Sequence, residues 1–141
     1  MTVNSAILIV DDEKEIRDML SRHFSYLGYA TETAANGIEA IDLLEKKQFS
    51  VMISDIMMPE MNGVELLKHA RDNYPMMRTV MITGYVTLEN ALSCIRYKAE
   101  ACIFKPIKDL DLLEQAVVEA LKKNAYWIEI LRELQGIKPK I

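Results

Sequence analysis

Five short apolar runs, each followed by a segment of helical periodicity, constrain this chain more than any other feature. Ala6-Ile-Leu-Ile-Val10 is a continuous β-branched run, as expected of a strand covered on both faces. Ile16, Leu20, Phe24 and Leu27 then recur at helical spacing until Gly28 stops the helix. Thr31, Glu32 and Thr33, set between Ala30 and Ala34, make a far more polar strand, which suits a sheet edge. Asn36-Gly37 turns into a helix expected to pack through Ile38, Ile41 and Leu44.

The second half repeats the scheme. Val51-Met-Ile53 is a third strand ending at Asp55, and Pro59 forbids it from simply continuing. Asn62-Gly-Val-Glu65 reads as an N-cap with a capping glutamate, opening a helix through Leu66, Leu67 and Ala70. Thr79-Val-Met-Ile82 is the fourth strand, ending at Thr83-Gly84. Thr87 can cap a helix carrying Leu88, Ala91, Leu92 and Ile95. Ala101-Cys-Ile-Phe104 is the fifth strand, ending at Lys105-Pro106, and a last helix starts near Asp109 or Asp111. Strands alternating with helices mean a parallel, doubly wound α/β sheet with helices on both faces.

Length and composition set outer bounds on this scheme. At 141 residues the chain reads as one domain that buries its own core. Half the residues are apolar and 27% are charged, and no apolar run approaches a membrane span. Met1-Thr-Val-Asn-Ser5 lacks the basic region of a secretory signal, so a cytoplasmic protein is expected. A net charge of −4 argues against nucleic acid as a direct partner. Cys94 and Cys102 have no histidine at metal-ligand spacing and read as reduced thiols.

Asp11 and Asp12, Asp55, Thr83 and Lys105 each stand immediately after a strand. In an open α/β sheet the crevice lies outside the carboxyl ends of the strands, so these groups can converge. Three carboxylates brought together repel unless one takes a proton or all share a cation. An all-oxygen set favours a hard ion such as Mg2+. With that ion in place, Asp55 can attack a phosphoryl group, while Lys105 and the Thr83 hydroxyl engage its oxygens. Singly, each residue has an ordinary explanation: Asp11-Asp12-Glu13 as a helix cap, Lys105 as a loop lysine, Thr83 as a strand-end hydroxyl. Their joint placement after four different strands favours the chemical reading.

The chain resembles the receiver domain of bacterial two-component response regulators. The resemblance rests on Ile7-Leu-Ile-Val-Asp-Asp-Glu13, Ala35-Asn-Gly-Ile-Glu-Ala40, Asp55-Ile-Met-Met-Pro-Glu-Met-Asn-Gly63, Met81-Ile-Thr-Gly84 and Phe104-Lys-Pro-Ile107, and covers residues 5–122. It implies a flavodoxin-like sheet of order 2-1-3-4-5 and phosphorylation of Asp55 by the phosphohistidine of a sensor histidine kinase or phosphotransfer protein. It implies Mg2+ held by Asp12 and Asp55, by Asp11 through water, and by the main-chain carbonyl of Met57. Thr83 would be the switch hydroxyl, Lys105 the phosphoryl partner, and Lys105-Pro106 a cis peptide. The domain would assist its own phosphorylation and hydrolysis without being an enzyme in its own right. Bulky Met57 and Tyr85, two residues beyond Asp55 and Thr83, would slow that hydrolysis.

Three features depart from the resemblance. Cys102 stands where the family usually has an aromatic ring that reports phosphorylation, so Tyr85 or a backbone shift of the fourth helix would take over that relay. Lys98 replaces a common helix-ending glycine, which predicts a differently built turn. Finally, helical periodicity runs on to about Gln135 through Leu113, Val117, Ala120, Asn124, Trp127, Leu131 and Leu134. The outer part, residues 123–141, would form an extension and tail whose Trp127, Ile128, Leu131 and Leu134 lack a domain to pack on. A homodimer through this helix, with Asn124 setting the register, is the expectation, and the tail reads as the start of a linker in a larger transcriptional or hybrid-kinase regulator.

Two other readings compete. A phosphatase with an aspartate nucleophile, of the haloacid dehalogenase type, wants a second aspartate where Met57 stands. A flavin or nucleotide module wants a glycine-rich loop after the first strand, where Asp11-Asp12-Glu13 would repel phosphate.

Overall fold

The computed structural model describes residues 5–84 and 87–136. Its elements are β1 (Ala6–Val10), α1 (Lys14–Tyr26), β2 (Ala30–Ala34), α2 (Gly37–Lys46), β3 (Val51–Asp55), α3 (Gly63–Asn73), β4 (Arg78–Thr83), α4 (Leu88–Arg96), β5 (Ala101–Phe104) and α5 (Leu110–Gly136). The strands form one parallel sheet in the order β2-β1-β3-β4-β5, the flavodoxin-like order. The chain winds outward from β1 in one direction and from β3 in the other, which opens a crevice at the carboxyl ends of those two strands.

Strand residues alternate between two cores. On one face Ile7, Ile9, Val51, Ile53, Val80 and Ile82 pack with Leu20 and Phe24 of α1 and with Leu113, Val117 and Ala120 of α5. On the other, Leu8, Val10 and Met52 meet Ala40 and Leu44 of α2 and Leu66 and Ala70 of α3. A third cluster, Ile56, Leu67, Met81 and Cys94, extends that second face beneath α4. The interior strands are therefore apolar at every position but their ends, because both their faces are covered. Polar β2 is an edge, as its composition predicts, and buries only Ala34.

Two expectations about helix faces and one about a turn are corrected. Ile38 is 56% exposed, and α2 packs instead through Ala40 and Leu44, with Ile41 partly buried beside them. On α4, Leu88, Leu92 and Ile95 point to solvent, and the helix buries Ser93 and Cys94. Small side chains face the sheet there, so α4 lies against it while its larger apolar residues face outward. Lys98, expected to force a different turn after α4, takes the left-handed conformation itself at φ 60°. Its N–H donates to Ile95 O and that of Ala99 to Cys94 O, so the glycine-type helix stop is kept without a glycine.

Capping is as the sequence predicts for α3 and α4, and α2 is capped in the same way. Asn36, Asn62 and Thr87 each accept a hydrogen bond from a backbone N–H of the first turn, and Asn62 with Glu65 completes a capping box. The last helix is continuous over 27 residues. Part-way along, Asn124 is buried: its Oδ1 accepts from Arg78 Nε at 2.9 Å and its Nδ2 donates to Ser50 O at 3.1 Å. Its amide is consumed within the chain, tying α5 to the amino ends of β3 and β4.

Candidate functional site

Five loops rise from the carboxyl ends of the strands, and three of them meet at Lys105. Asp11, the first residue past β1, is fully buried, and its Oδ1 accepts the Glu13 N–H at 2.8 Å. Asp55 ends β3, pairs in register with Ile82 of β4, and accepts the Met57 N–H on Oδ1 at 3.2 Å. Lys105 follows β5, and its backbone N–H extends the ladder to Thr83 O at 2.8 Å. From there its ammonium reaches Asp11 Oδ2 at 2.9 Å, Glu13 Oε1 at 2.9 Å and Asp55 Oδ2 at 3.0 Å. The Lys105-Pro106 peptide is cis.

The loop after β3 is held from the other side by α3. Gly63 N–H donates to Ile56 O at 2.7 Å. A methyl group on Gly63 would overlap the Asp55 carbonyl oxygen and stand 2.7 Å from Ile56 Cα. Glycine is required here because a helix start and a strand end share the same space.

The electrostatics follow from the crowding. Burial pushes the Asp11 carboxyl above its ordinary range, opposed by the Glu13 N–H and by Lys105. Burial alone would lower the Lys105 ammonium, but hydrogen bonds to Glu13 and Asp55 and the ion pair with Asp11 outweigh it and hold the group above the usual lysine range. One cation thus faces three acids. The Asp11 Oδ2 contact with Lys105 is an ion pair without hydrogen-bond alignment, so that buried oxygen keeps an unfilled acceptor position. Oxygens of Asp11, Asp12, Glu13 and Asp55 all lie within 4.8 Å of one another. Such a donor set, all carboxylate with no sulfur or nitrogen, fits a hard divalent cation.

The remaining residues singled out in the sequence are distributed as follows. Thr83 is buried at the end of β4 and pairs with Phe104, one strand away from Asp55. Asp12 and the Met57 side chain are exposed at the mouth of the crevice. Tyr85 lies outside the described residues. Cys102 sits opposite Met81 and packs behind the site against the cluster that holds Cys94. Trp127 and Leu131 are exposed on the outer half of α5, far along the chain from the crevice. Glu13 is the participant that the spacing argument did not single out. Its position two residues past Asp11 was the available signal, since the turn that bonds its N–H to Asp11 also aims its side chain at Lys105.

Comparison with known proteins decides the family. The model of the response regulator receiver domain matches residues 7–118. The chain belongs to that family. Its relatives include the Regulator of RpoS from Escherichia coli K12, 37% identical over 124 residues, covering 88% of this chain and 37% of that protein. The chain thus spans little more than a third of that curated relative's length. Among solved structures, a CheY-like response regulator receiver domain protein from Methanospirillum hungatei has a TM-score of 0.83 at 36% identity, covering 87% of this chain and 98% of that one. The response regulator TrrA of Thermotoga maritima, solved in complex with Mg2+ and BeF, has a TM-score of 0.75 at 29% identity, covering 82% and 98%. Receiver domains belong to phosphorylation-based signalling, and this receiver carries an acidic cluster at the carboxyl end of its sheet. Among the described residues no helix is long and apolar enough to cross a membrane.

Proposed function

We propose that this receiver is a phosphorylation-controlled switch in which Asp55 accepts a phosphoryl group from the phosphohistidine of a sensor kinase or phosphotransfer protein. The observation that carries this reading is the convergence of Lys105 on both Asp11 and Asp55, with Thr83 on the adjoining strand. An Asp55 oxygen forms the new bond to phosphorus as the phosphorus–nitrogen bond breaks, and the imidazole leaves with the electron pair and takes a proton. Lys105 then exchanges a carboxylate partner for a phosphoryl oxygen at little displacement. Mg2+ fits the site because the donor set is all oxygen and the buried Asp11 Oδ2 has room for a further ligand. Asp12 and Asp55 would hold the ion directly, with Asp11 through water and the Met57 carbonyl, and it would neutralise phosphoryl charge.

Incubation with Mg2+ and acetyl phosphate, followed by intact-mass measurement, tests the reading. One phosphoryl adduct is expected on the wild type and none on Asp55→Asn. Absence of an adduct on the wild type defeats it, and rapid turnover of unrelated phosphate esters favours the phosphatase alternative.

The domain proper would extend over residues 5–122, with 123–141 as an extension. Output would pass through a second copy docking on the outer half of α5, where Trp127, Ile128, Leu131 and Leu134 are all exposed. Light scattering with and without phosphorylation tests this arm, and a monomer in both states would remove it. Because the curated relative is a much longer protein, the wider regulator to which this receiver contributes would supply any further output.

A further inference from the structure

The two cysteines lie outside the phosphorylation chemistry, yet the fold places them together. Cys94 is in the last turn of α4 and is buried. Cys102 is the second residue of β5, half-buried, and packs against the cluster of Ile56, Leu67, Met81 and Cys94. The turn between them is short and fixed at both ends. Lys98 in the left-handed conformation reverses the chain, and the Ala99 N–H returns to the carbonyl of Cys94 itself. Backbone geometry therefore delivers both thiols to one side of the α4–β5 junction.

Their chemistry is asymmetric. Interaction with the Cys102 thiol pushes Cys94 up, helped by burial. The same interaction with Cys94 lowers Cys102 to about 7, against the opposing effect of burial. The more accessible sulfur is thus the one that ionises first, and the buried Cys94 thiol packs in the same cluster. Ready ionisation, access and a neighbouring thiol together are what a reversible redox site needs. Structural buried cysteines lack the first two.

We propose that Cys94 and Cys102 form a reversible intramolecular disulfide on exposure to a peroxide, making the α4–β5 junction of this receiver a redox-modification site. The Cys102 thiolate attacks one peroxide oxygen, the oxygen–oxygen bond breaks, and Cys102 becomes a sulfenic acid as hydroxide leaves. The Cys94 sulfur then attacks the Cys102 sulfur, the sulfur–oxygen bond breaks, and water departs with the Cys94 proton. In sum, two thiols and one hydrogen peroxide give one disulfide and two waters. The sulfurs must reach a bond length of about 2.05 Å, which side-chain rotation and a slight approach of α4 supply. The helix can make that approach because its inward residues are the small Ser93 and Cys94. Once formed, the bond fastens to the sheet a helix whose Leu88, Leu92 and Ile95 contribute nothing to its anchorage. The proposal stands apart from phosphorylation of Asp55 and its test reads no phosphoryl transfer.

The experiment treats the reduced full chain with a small excess of hydrogen peroxide, denatures it in urea with N-ethylmaleimide, and measures intact mass and a tryptic map. The expected product is monomeric, lighter than the starting protein by two hydrogens, and takes up no maleimide. Its map joins the peptide ending at Arg96 to the one beginning at Ala99, and dithiothreitol restores both thiols. Cys94→Ser and Cys102→Ser must each lose the intramolecular product, and the native chain must close faster than the same chain oxidised in urea. The proposal is overturned if both thiols still take maleimide after the dose that oxidises free glutathione. It is equally overturned if Cys102 passes to sulfinic acid without the link, if the disulfide joins two chains, or if urea does not slow closure.

Discussion

Lys105 shows how one residue can hold a site that opposes its own folding. Without it, Asp11, Glu13 and Asp55 would crowd like charges at the end of the sheet, two of them away from water. Lys105→Met leaves those charges unpaired, and the metal-free protein should lose about 2 kcal/mol of stability in urea unfolding. Added Mg2+ should recover more of that stability for the variant than for the wild type, since the ion then takes over the missing positive charge. An equal response of both proteins to Mg2+ would show that the lysine and the ion do not share the same carboxylates.

At the scale of elements, two helix features carry distinct expectations. The lysine that ends α4 sits at φ 60°, where a side chain strains the backbone and glycine does not. Lys98→Gly should therefore stabilise the protein by roughly 0.5–1 kcal/mol, because the turn that it relaxes is already formed. A loss of stability in the same urea titration would mean that the lysine side chain supports the turn. For α5 the informative residue is Asn124. Asn124→Ala removes two buried hydrogen bonds and strands the Ser50 and Arg78 groups, at a cost of about 1–3 kcal/mol. Its oligomeric state by light scattering should equal that of the wild type, whereas a register residue in a dimer seam would change it. The sequence contained both helices but not these partners. A heptad position records the spacing along one helix. It carries no record that the amino ends of β3 and β4, more than forty positions earlier, arrive beneath it.

The whole molecule was legible to different depths in its different layers. The parallel sheet and the convergence of Asp11, Asp55 and Lys105 follow from runs ending in polar residues, because parallel strands all present their carboxyl ends to one side, whereas the strand order came with the family resemblance. Which helix faces are covered does not follow so directly, since periodicity marks a stripe without saying what lies opposite. Ile38, Leu88, Leu92 and Ile95 show this: each fits an apolar stripe and each is exposed. The outer α5 residues fit a stripe too, and here exposure agrees with the expectation, with Trp127 47% and Leu134 60% exposed. If a second copy covers them, Leu131→Glu should shift the protein toward monomer in light scattering with no loss of the Asp55 adduct. A wild type that is monomeric throughout the accessible concentration range would leave this surface to some other partner.

The anchoring of α5 has a mechanical side. Asn124 fixes the helix to the sheet, and the residues beyond it continue to Gly136 as one uninterrupted rod. Twelve residues at 1.5 Å of rise make an arm of about 18 Å, so a tilt of about 10° at the anchor swings its tip by about 3 Å. A rearrangement too small to repack the core is thereby magnified to the size of a side-chain contact. The pivot of such a tilt lies at the amino end of the sheet, where Asn124 meets Ser50 and Arg78.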